Sequence, residues 1–164
     1  MRLSWRMGSK LNRDDSTEMD RRQKEGSSPD WGKPSPRTSA RMSRVRSSDT
    51  TPELRVRSAL HRLGYRFRLH RRDLPGTPDV VLPKYRTVIF VHGCYWHRHP
   101  GCRRASTPRT NSKKWEQKFE RNVTRDQSNA EALERLGWRV LVVWECETKG
   151  QESLEAKLQA LLSS

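Results

Sequence analysis

The sequence predicts a mixed α/β fold in which a β-sheet is flanked by helices, in the order α-β-β-β-α-β-α. Two short and nearly all-apolar runs, residues 87–91 and 139–144, have the length and composition of buried strands. Residues 50–64 and 112–137 instead carry apolar side chains at helical spacing. At 164 residues, the chain is long enough for one domain of ordinary size and short for two.

Residues 1–36 are predicted to form a disordered basic and polar tail, and residues 37–164 to form the folded domain. The tail is rich in Ser, Pro and charged residues, and it has no period that would bury an apolar face. Four arginines lie just before the first predicted helix: Arg37, Arg41, Arg44 and Arg46. They could become ordered on DNA, or they could belong to a solvated segment without a role.

The first helix is predicted to begin near Thr50. Thr50 and Glu53 have the spacing of a capping box, and Pro52 suits the first turn of a helix. Gly64 is a natural C-terminal stop. The apolar stripe of this helix contains Val56, Ala59, Leu60 and Leu63.

Alternation, apolar runs and turn residues predict the remaining elements. Residues 65–69 alternate apolar and basic side chains, which indicates a half-buried strand. The turn PGTP leads into the short strand 80–82, and the turn PKYR precedes the strand 87–91. After a Cys- and His-rich loop come a long helix at 112–137, a strand at 139–144 and a closing helix at 151–162.

The charge of the chain points to nucleic acid as its partner. The formal net charge is +15 and the pI is near 10.7, so the surface repels itself unless a polyanion is nearby. No apolar run approaches the roughly 20 residues that a membrane helix needs, and no secretory signal is apparent. Three cysteines cannot all pair, which fits a reducing cytoplasm.

The cysteines and one histidine have metal-ligand spacing. Cys94, His99 and Cys102 form C-x4-H-x2-C, and Cys146 follows the last predicted strand. A Cys3His set suits tetrahedral zinc, and four protein ligands leave no open position, so the zinc is predicted to be structural. The alternative is three unliganded cysteines and an exposed histidine. The approach of Cys146 depends entirely on the predicted strand layout.

A second group of residues has the chemistry of phosphodiester hydrolysis. Asp79 lies at a turn that enters a strand, where its carboxylate could hold magnesium. His97 is suited to act as a general base because its unperturbed pKa is near neutrality. His92 lies in the same loop and is surplus to the four-ligand zinc site.

Asp126 lies on the apolar stripe of the long helix, where a carboxylate is costly to bury without a partner. The imidazole of His97 would be a suitable partner; otherwise Asp126 is a salt-bridge residue at the edge of the stripe. Glu53 could be an active-site acid, or simply a first-turn acid that favours the helix dipole. The other members of the stripe are Phe119, Val123, Ala130 and Leu133.

Large aromatic residues lie among these groups. Tyr95 and Trp96 stand between the candidate ligands, and Trp115 opens the long helix beside two lysines. Aromatic side chains can wedge into a base stack, and mismatched pairs are the easiest to open. The alternative is that the rings fill the core, which position alone favours for Trp115 more than for Trp96.

The run LPGTPDVVLPKYRTVIFVHGCYWHRHPGC, with the later NVTRD and LGWRVLVVWEC, resembles the very-short-patch repair (Vsr-type) DNA mismatch endonucleases. The resemblance extends from about Arg37 to the C-terminus. It implies a restriction-endonuclease-like fold and a magnesium-dependent nick in double-stranded DNA, 5′ to the thymine of a T·G mismatch left by deaminated 5-methylcytosine. It also implies a monomer in the bacterial cytoplasm with a functional link to a cytosine-5 DNA methyltransferase and to mismatch-repair proteins.

The resemblance assigns roles by position. Asp79 resembles the magnesium ligand, His97 the general base and Asp126 its paired acid, with Glu53 at the edge of the site and His92 positioning water and phosphate. The residues that resemble the intercalating aromatics are Tyr95, Trp96 and Trp115, and those that resemble the zinc ligands are Cys94, His99, Cys102 and Cys146. Two departures are Val91, where some relatives have threonine, and Pro100-Gly101, which lengthens the spacer inside the zinc motif.

Two other functions are compatible with the residues. A restriction-type nuclease would cut perfectly paired DNA, and a zinc-stabilised DNA-binding module would bind without cutting. The joint presence of Asp79, His97 and Asp126 disfavours the binding module.

Overall fold

The computed structural model describes residue 40 and residues 48–163. The predicted tail and the four arginines that precede the first helix therefore lie outside the described residues. The predicted order of elements is confirmed. Within residues 48–163, the helices and strands are α1 (Thr51–Arg62), β1 (Arg68–Leu69), β2 (Val80–Leu82), β3 (Thr87–His92), α2 (Ser112–Arg135), β4 (Arg139–Trp144) and α3 (Gln151–Ser163). Short 3-10 turns occupy Pro83–Tyr85 and Glu145–Thr148. Among the described residues, no helix combines the length and apolar composition needed to cross a membrane.

The four strands form one mixed sheet in the order β1-β2-β3-β4. The first two pairings are antiparallel, whereas β3 and β4 are parallel and α2 makes the crossover between them. The parallel register runs from Thr87 opposite Arg139 to His92 opposite Trp144. Both strands therefore end at the same edge of the sheet, and the segments that follow them emerge side by side.

The sheet is covered on both faces, which explains why β2 is buried along its whole length. One face packs on α1 and α3, through a cluster that includes Leu60, Ile89 and Leu158. The other face packs on the C-terminal part of α2, through a smaller cluster that includes Val88 and Leu133. The core thus lies on the strands themselves, and the sheet edge at which β3 and β4 end is free to carry a site.

Two local details differ from the sequence prediction. The first strand is shorter than residues 65–69, because only Arg68 and Leu69 pair with β2, while Tyr65 and Phe67 pack against the larger core cluster. Thr50 is the N-cap of α1, but its side chain forms no capping bond. Its hydroxyl instead donates a hydrogen bond to Glu53 Oε1, at 2.8 Å.

The predicted apolar stripe of α2 is buried only near its ends. Phe119 and Leu133 are buried, whereas Val123 is 40% exposed. The middle of α2 lines an open cleft through Arg125, Asp126 and Asn129, whereas Val123 is not one of the lining residues and faces solvent. A polar residue in the middle of this stripe is therefore less anomalous than the sequence alone suggests.

Candidate active site and metal centre

A cleft of about 910 Å³ opens beside the C-terminal end of β3. Its walls come from the start of α1, the loop before β2, the loop after β3 and the middle of α2. All five predicted catalytic residues line it: Glu53, Asp79, His92, His97 and Asp126. The fold thus gathers into one cavity side chains that are dispersed over more than seventy residues of sequence.

Asp79 stands immediately before β2, and its Oδ2 accepts a hydrogen bond from the backbone N–H of Val91 at 2.7 Å. Burial raises the pKa of Asp79 to about 6, the negative charge of Glu53 adds to this rise, and the hydrogen bond from Val91 opposes it. A half-buried carboxylate whose pKa is raised by desolvation is a fitting ligand for a hard cation, which would offset its charge. The residues present therefore fit a magnesium ion at Asp79.

His97 and Asp126 are in direct contact, since Nδ1 of His97 meets Oδ2 of Asp126. The predicted pairing of these two residues is confirmed as geometry. The guanidinium of Arg125 is a second possible partner of Asp126, but its Nη2 lies 4.0 Å from Oδ1 and is therefore more distant than His97. With Nδ1 donating to the carboxylate, Nε2 of His97 is left as the nitrogen that can accept a proton.

His92 stacks on His97, with ring centroids 4.0 Å apart and an interplanar angle of 11°. Burial and, to a smaller extent, the positive charge of His97 lower the pKa of His92 to about 4, although the charge of Asp126 opposes them. His92 is therefore neutral near pH 7. A neutral ring can lie against His97 without opposing a positive charge on it, and can still form hydrogen bonds in the cleft.

Glu53 is nearly fully engaged by neighbouring donors. Its carboxylate accepts hydrogen bonds from the N–H of Asp49 at 2.9 Å, the hydroxyl of Thr50 at 2.8 Å and Nη2 of Arg57 at 3.0 Å. Arg57 is itself buried and also contacts Asp49 and His70. These bonds hold the Glu53 carboxylate in place at the edge of the cleft, so its negative charge acts on Asp79 from a defined position.

The predicted intercalating aromatics form one cluster beside the cleft. The ring of Tyr95 packs edge-on against Trp96, Trp115 and Phe119, with centroids 5.1 to 5.9 Å apart. Lys118 lies 4.9 Å from the centroid of the Trp96 ring and so places a positive charge over it. Tyr95, Trp96 and Trp115 are all only partly buried, so they pack on one another and still present ring surface to solvent.

The four predicted zinc ligands meet beyond the ends of β3 and β4. One ligand atom from each of Cys94, His99, Cys102 and Cys146 lies within 4.8 Å of the others. Nδ1 of His99 is 3.3 Å from the sulfur of Cys146 and 3.7 Å from that of Cys94. The predicted grouping is confirmed, including Cys146, which the parallel pairing of β3 and β4 brings into place.

The chemistry of this cluster fits a bound cation. All three cysteines are free thiols. Burial raises the pKa of the Cys94 thiol to about 12, whereas the backbone N–H of Arg104 lowers the pKa of Cys102, so a bound cation would be needed chiefly to ionise Cys94. Three thiolates and one imidazole are a donor set that zinc binds tetrahedrally. The ring of His99 also stacks on Trp144, with centroids 4.3 Å apart.

Sequence reasoning missed several residues that shape the site. Asn122, one turn before Asp126 on α2, donates a hydrogen bond to the carbonyl of Trp96 at 3.2 Å and so ties the Cys- and His-rich loop to the helix. Asn129, one turn after Asp126, lines the cleft. Their spacing around Asp126 could have indicated a shared helix face. No sequence signal indicated that Trp144 would stack on His99.

Comparison with known proteins is consistent with this geometry. Residues 30–104 match the family model described as DNA mismatch endonuclease Vsr. The chain is 54% identical over 121 residues to the type II nicking enzyme V.XorIIP of Xanthomonas oryzae pv. oryzae. The aligned residues make up 74% of this chain and 88% of that relative. It is 44% identical over 116 residues to the DNA mismatch endonuclease Vsr of Escherichia coli, covering 71% of this chain and 74% of that protein. A match of this extent shows that the chain belongs to the Vsr family of DNA mismatch endonucleases.

Proposed function

We propose that this chain nicks one strand of double-stranded DNA 5′ to the thymine of a T·G mismatch, and so initiates very-short-patch repair. The observation that carries the proposal is the contact between His97 and Asp126 in the same cleft as the half-buried Asp79. Two relatives support the same class of reaction, since one is named a type II nicking enzyme and the other a DNA mismatch endonuclease.

In the proposed reaction, His97 is the general base. Its Nδ1–H donates to Asp126, so Nε2 can accept a proton from the attacking water. The negative charge of Asp126 then stabilises the imidazolium that forms. His92, neutral and stacked on His97, is placed to orient the water or a phosphate oxygen.

We propose that Asp79 holds a catalytic magnesium ion. When bound, magnesium offsets negative charge that develops on the scissile phosphate. Asp79 is suited to this role because its carboxylate is half-buried and is fixed by the N–H of Val91. Glu53 contributes negative charge from a rigid position and is not proposed to transfer a proton, since its carboxylate is engaged by three donors.

We propose a structural role for zinc at Cys94, His99, Cys102 and Cys146. Tyr95, Trp96 and His97 lie between the first two of these ligands, so a bound zinc would fix the loop that carries them. Structural zinc sites in small domains contribute folding free energy on the order of 10 kcal/mol.

Tyr95, Trp96 and Trp115 are proposed to enter the base stack beside the mismatch. Their clustered rings offer a contiguous aromatic surface next to the cleft, and Lys118 adds a positive charge to it. Unstacking one base step requires roughly a few kcal/mol, and a wobble pair is the least expensive to open. A cytosine-5 DNA methyltransferase and mismatch-repair proteins remain the expected functional partners.

The proposal is tested by nicking assays on two duplexes that differ only in a T·G or T·A pair, with and without magnesium. We expect the wild-type protein to nick only the T·G duplex, and only when magnesium is present. We expect the nicking rate of His97→Ala to be lower by roughly 10²-fold or more. His61→Ala is the matched control, because His61 is exposed on α1 and lies outside the cleft. Equal nicking of both duplexes would indicate a restriction-type nuclease. Tight binding that magnesium never converts to a nick would indicate a non-catalytic DNA-binding module.

A further inference from the structure

One unusually close approach joins two walls of the cleft. Gly76, in the loop before β2, and Asn129, on α2, both line the cavity. A Cβ built on Gly76 would lie 2.8 Å from Nδ2, 2.9 Å from Cγ and 3.0 Å from Cβ of Asn129. Distances this short leave no room for a methyl group. The loop backbone therefore rests directly on the Asn129 side chain.

The loop also needs glycine at this position for its conformation. Pro75 and Gly76 are the central residues of a turn in which the N–H of Thr77 donates to the carbonyl of Leu74 at 3.1 Å. Gly76 has a φ of +71°, which suits the third position of a type II turn. Gly76 is thus required both by the positive φ and by the closeness of Asn129. Gly64 has a similar φ of +80° but nothing within 4 Å of an added Cβ, so a substitution there tests the effect of the positive φ alone.

This contact lies between the groups that the proposed reaction has to align. Asp79 follows Gly76 by three residues and is fixed to β3 through the N–H of Val91. Asp126 precedes Asn129 by three residues on α2, so both lie on the same helix face. A shift of Gly76 relative to Asn129 would therefore move Asp79 relative to Asp126.

We propose that Gly76 and Asn129 are positioning residues whose direct contact sets the separation between Asp79 and the His97–Asp126 pair. This inference rests on the proposed nicking function of the cleft. Neither residue needs to touch the reacting atoms. Because misplacement of reacting groups by about 1 Å slows a reaction by up to roughly 10²-fold, disruption of the contact affects the rate of cleavage more than the affinity for DNA.

The test compares Gly76→Ala, Asn129→Gly, the double variant and Gly64→Ala. For each, the single-turnover nicking rate constant at saturating enzyme and the Kd for a T·G duplex are measured. We expect Gly76→Ala to slow nicking by about tenfold or more with Kd changed by less than about threefold. Gly64→Ala, which carries similar backbone strain without the clash, should keep the wild-type rate within about twofold. Adding Asn129→Gly should restore much of the rate that Gly76→Ala loses.

Wild-type cleavage by Gly76→Ala would overturn the inference. So would a double variant no faster than Gly76→Ala, because that result would assign the effect to backbone strain at residue 76. If Gly76→Ala fails to fold, by circular dichroism, a folded and active double variant still supports the contact. An unfolded double variant beside a folded Gly64→Ala contradicts it. Absence of nicking by the wild-type protein itself would instead reject the proposed function.

Discussion

At Asp79, burial and a hydrogen bond act in opposite directions on one carboxylate. Burial raises its pKa, the N–H of Val91 lowers it, and the net result is a pKa of about 6. The folded protein therefore binds more protons than the unfolded chain between about pH 4 and pH 6. In the absence of magnesium, the free energy of unfolding should fall as the pH rises through this range.

Asp79→Asn should for this reason stabilise the metal-free protein while abolishing its proposed activity. An asparagine keeps an oxygen that can accept the Val91 N–H, but it carries no charge to bury. We expect its free energy of unfolding to exceed that of the wild type by about 1–3 kcal/mol at pH 7.5, and the gap to close near pH 4. Urea unfolding at several pH values measures this.

Asp73→Asn is the control for that experiment, because Asp73 is exposed and the Arg71 guanidinium lowers its pKa. It should bring no gain in stability at pH 7.5. If Asp79→Asn is less stable than the wild type at that pH, burial of the charged Asp79 carboxylate does not destabilise the folded protein as inferred.

Asp126→Asn should slow nicking while leaving DNA binding intact or stronger. An amide can donate to Nδ1 of His97 and so leave the proton on the wrong nitrogen, and it provides no negative charge for the imidazolium. We expect a decrease of roughly 10²- to 10⁴-fold in the single-turnover rate constant. Glu131→Gln, an exposed position of the same helix, is the matched control. Equal rates for the two variants would remove Asp126 from the proposed mechanism.

At the scale of elements, the parallel pairing of β3 and β4 has the largest consequence for the site. Because His92 and Trp144 are opposite each other at the ends of these strands, Cys94 and Cys146 follow at one edge of the sheet. The cluster of Cys94, His99, Cys102 and Cys146, which could hold a metal ion, therefore joins the segment after β3 to the segment after β4. Among the described strands, β3 and β4 are the paired neighbours that are joined through a long helix, and the cluster links their ends.

Cys146→Ser should consequently lose the bound metal and destabilise the whole fold. The wild-type protein should contain about one equivalent of zinc by mass spectrometry, and the variant should contain little. We expect the variant's free energy of unfolding to be lower by about 3 kcal/mol or more. Ser153→Ala, an exposed change on α3, should retain both metal and stability. Wild-type protein that is active without zinc would contradict the assignment.

The helices also show which features sequence periodicity can predict. Apolar spacing located α1 and α2, because the buried side chains of a helix recur with a regular period. That spacing also suggested that the whole stripe of α2 is buried, although Val123 is exposed. The middle of α2 turns Asp126 and Asn129 towards the cleft and leaves Val123 in solvent, and apolar spacing alone does not reveal which part of a helix rests on the sheet.

For the molecule as a whole, the sequence predicted the fold class, the element order and the members of both residue clusters. Ligand chemistry and spacing were sufficient for Cys94, His99 and Cys102, whereas Cys146 also required the correct strand pairing. The close approach of Gly76 to Asn129 and the engagement of Glu53 by Arg57 could not be predicted in the same way. Both depend on how separate elements pack, and neither leaves a local pattern in the chain.

The parallel arrangement of β3 and β4 also has a consequence for the order in which the site matures during synthesis. A ribosome translates Asp79, His97 and Asp126 before it reaches β4 and Cys146. A nascent chain that ends after α2 would thus carry the reactive side chains without the strand beside β3 or the last ligand of the metal cluster. The proposed active site would in this way be completed only after β4 and Cys146 have been synthesised.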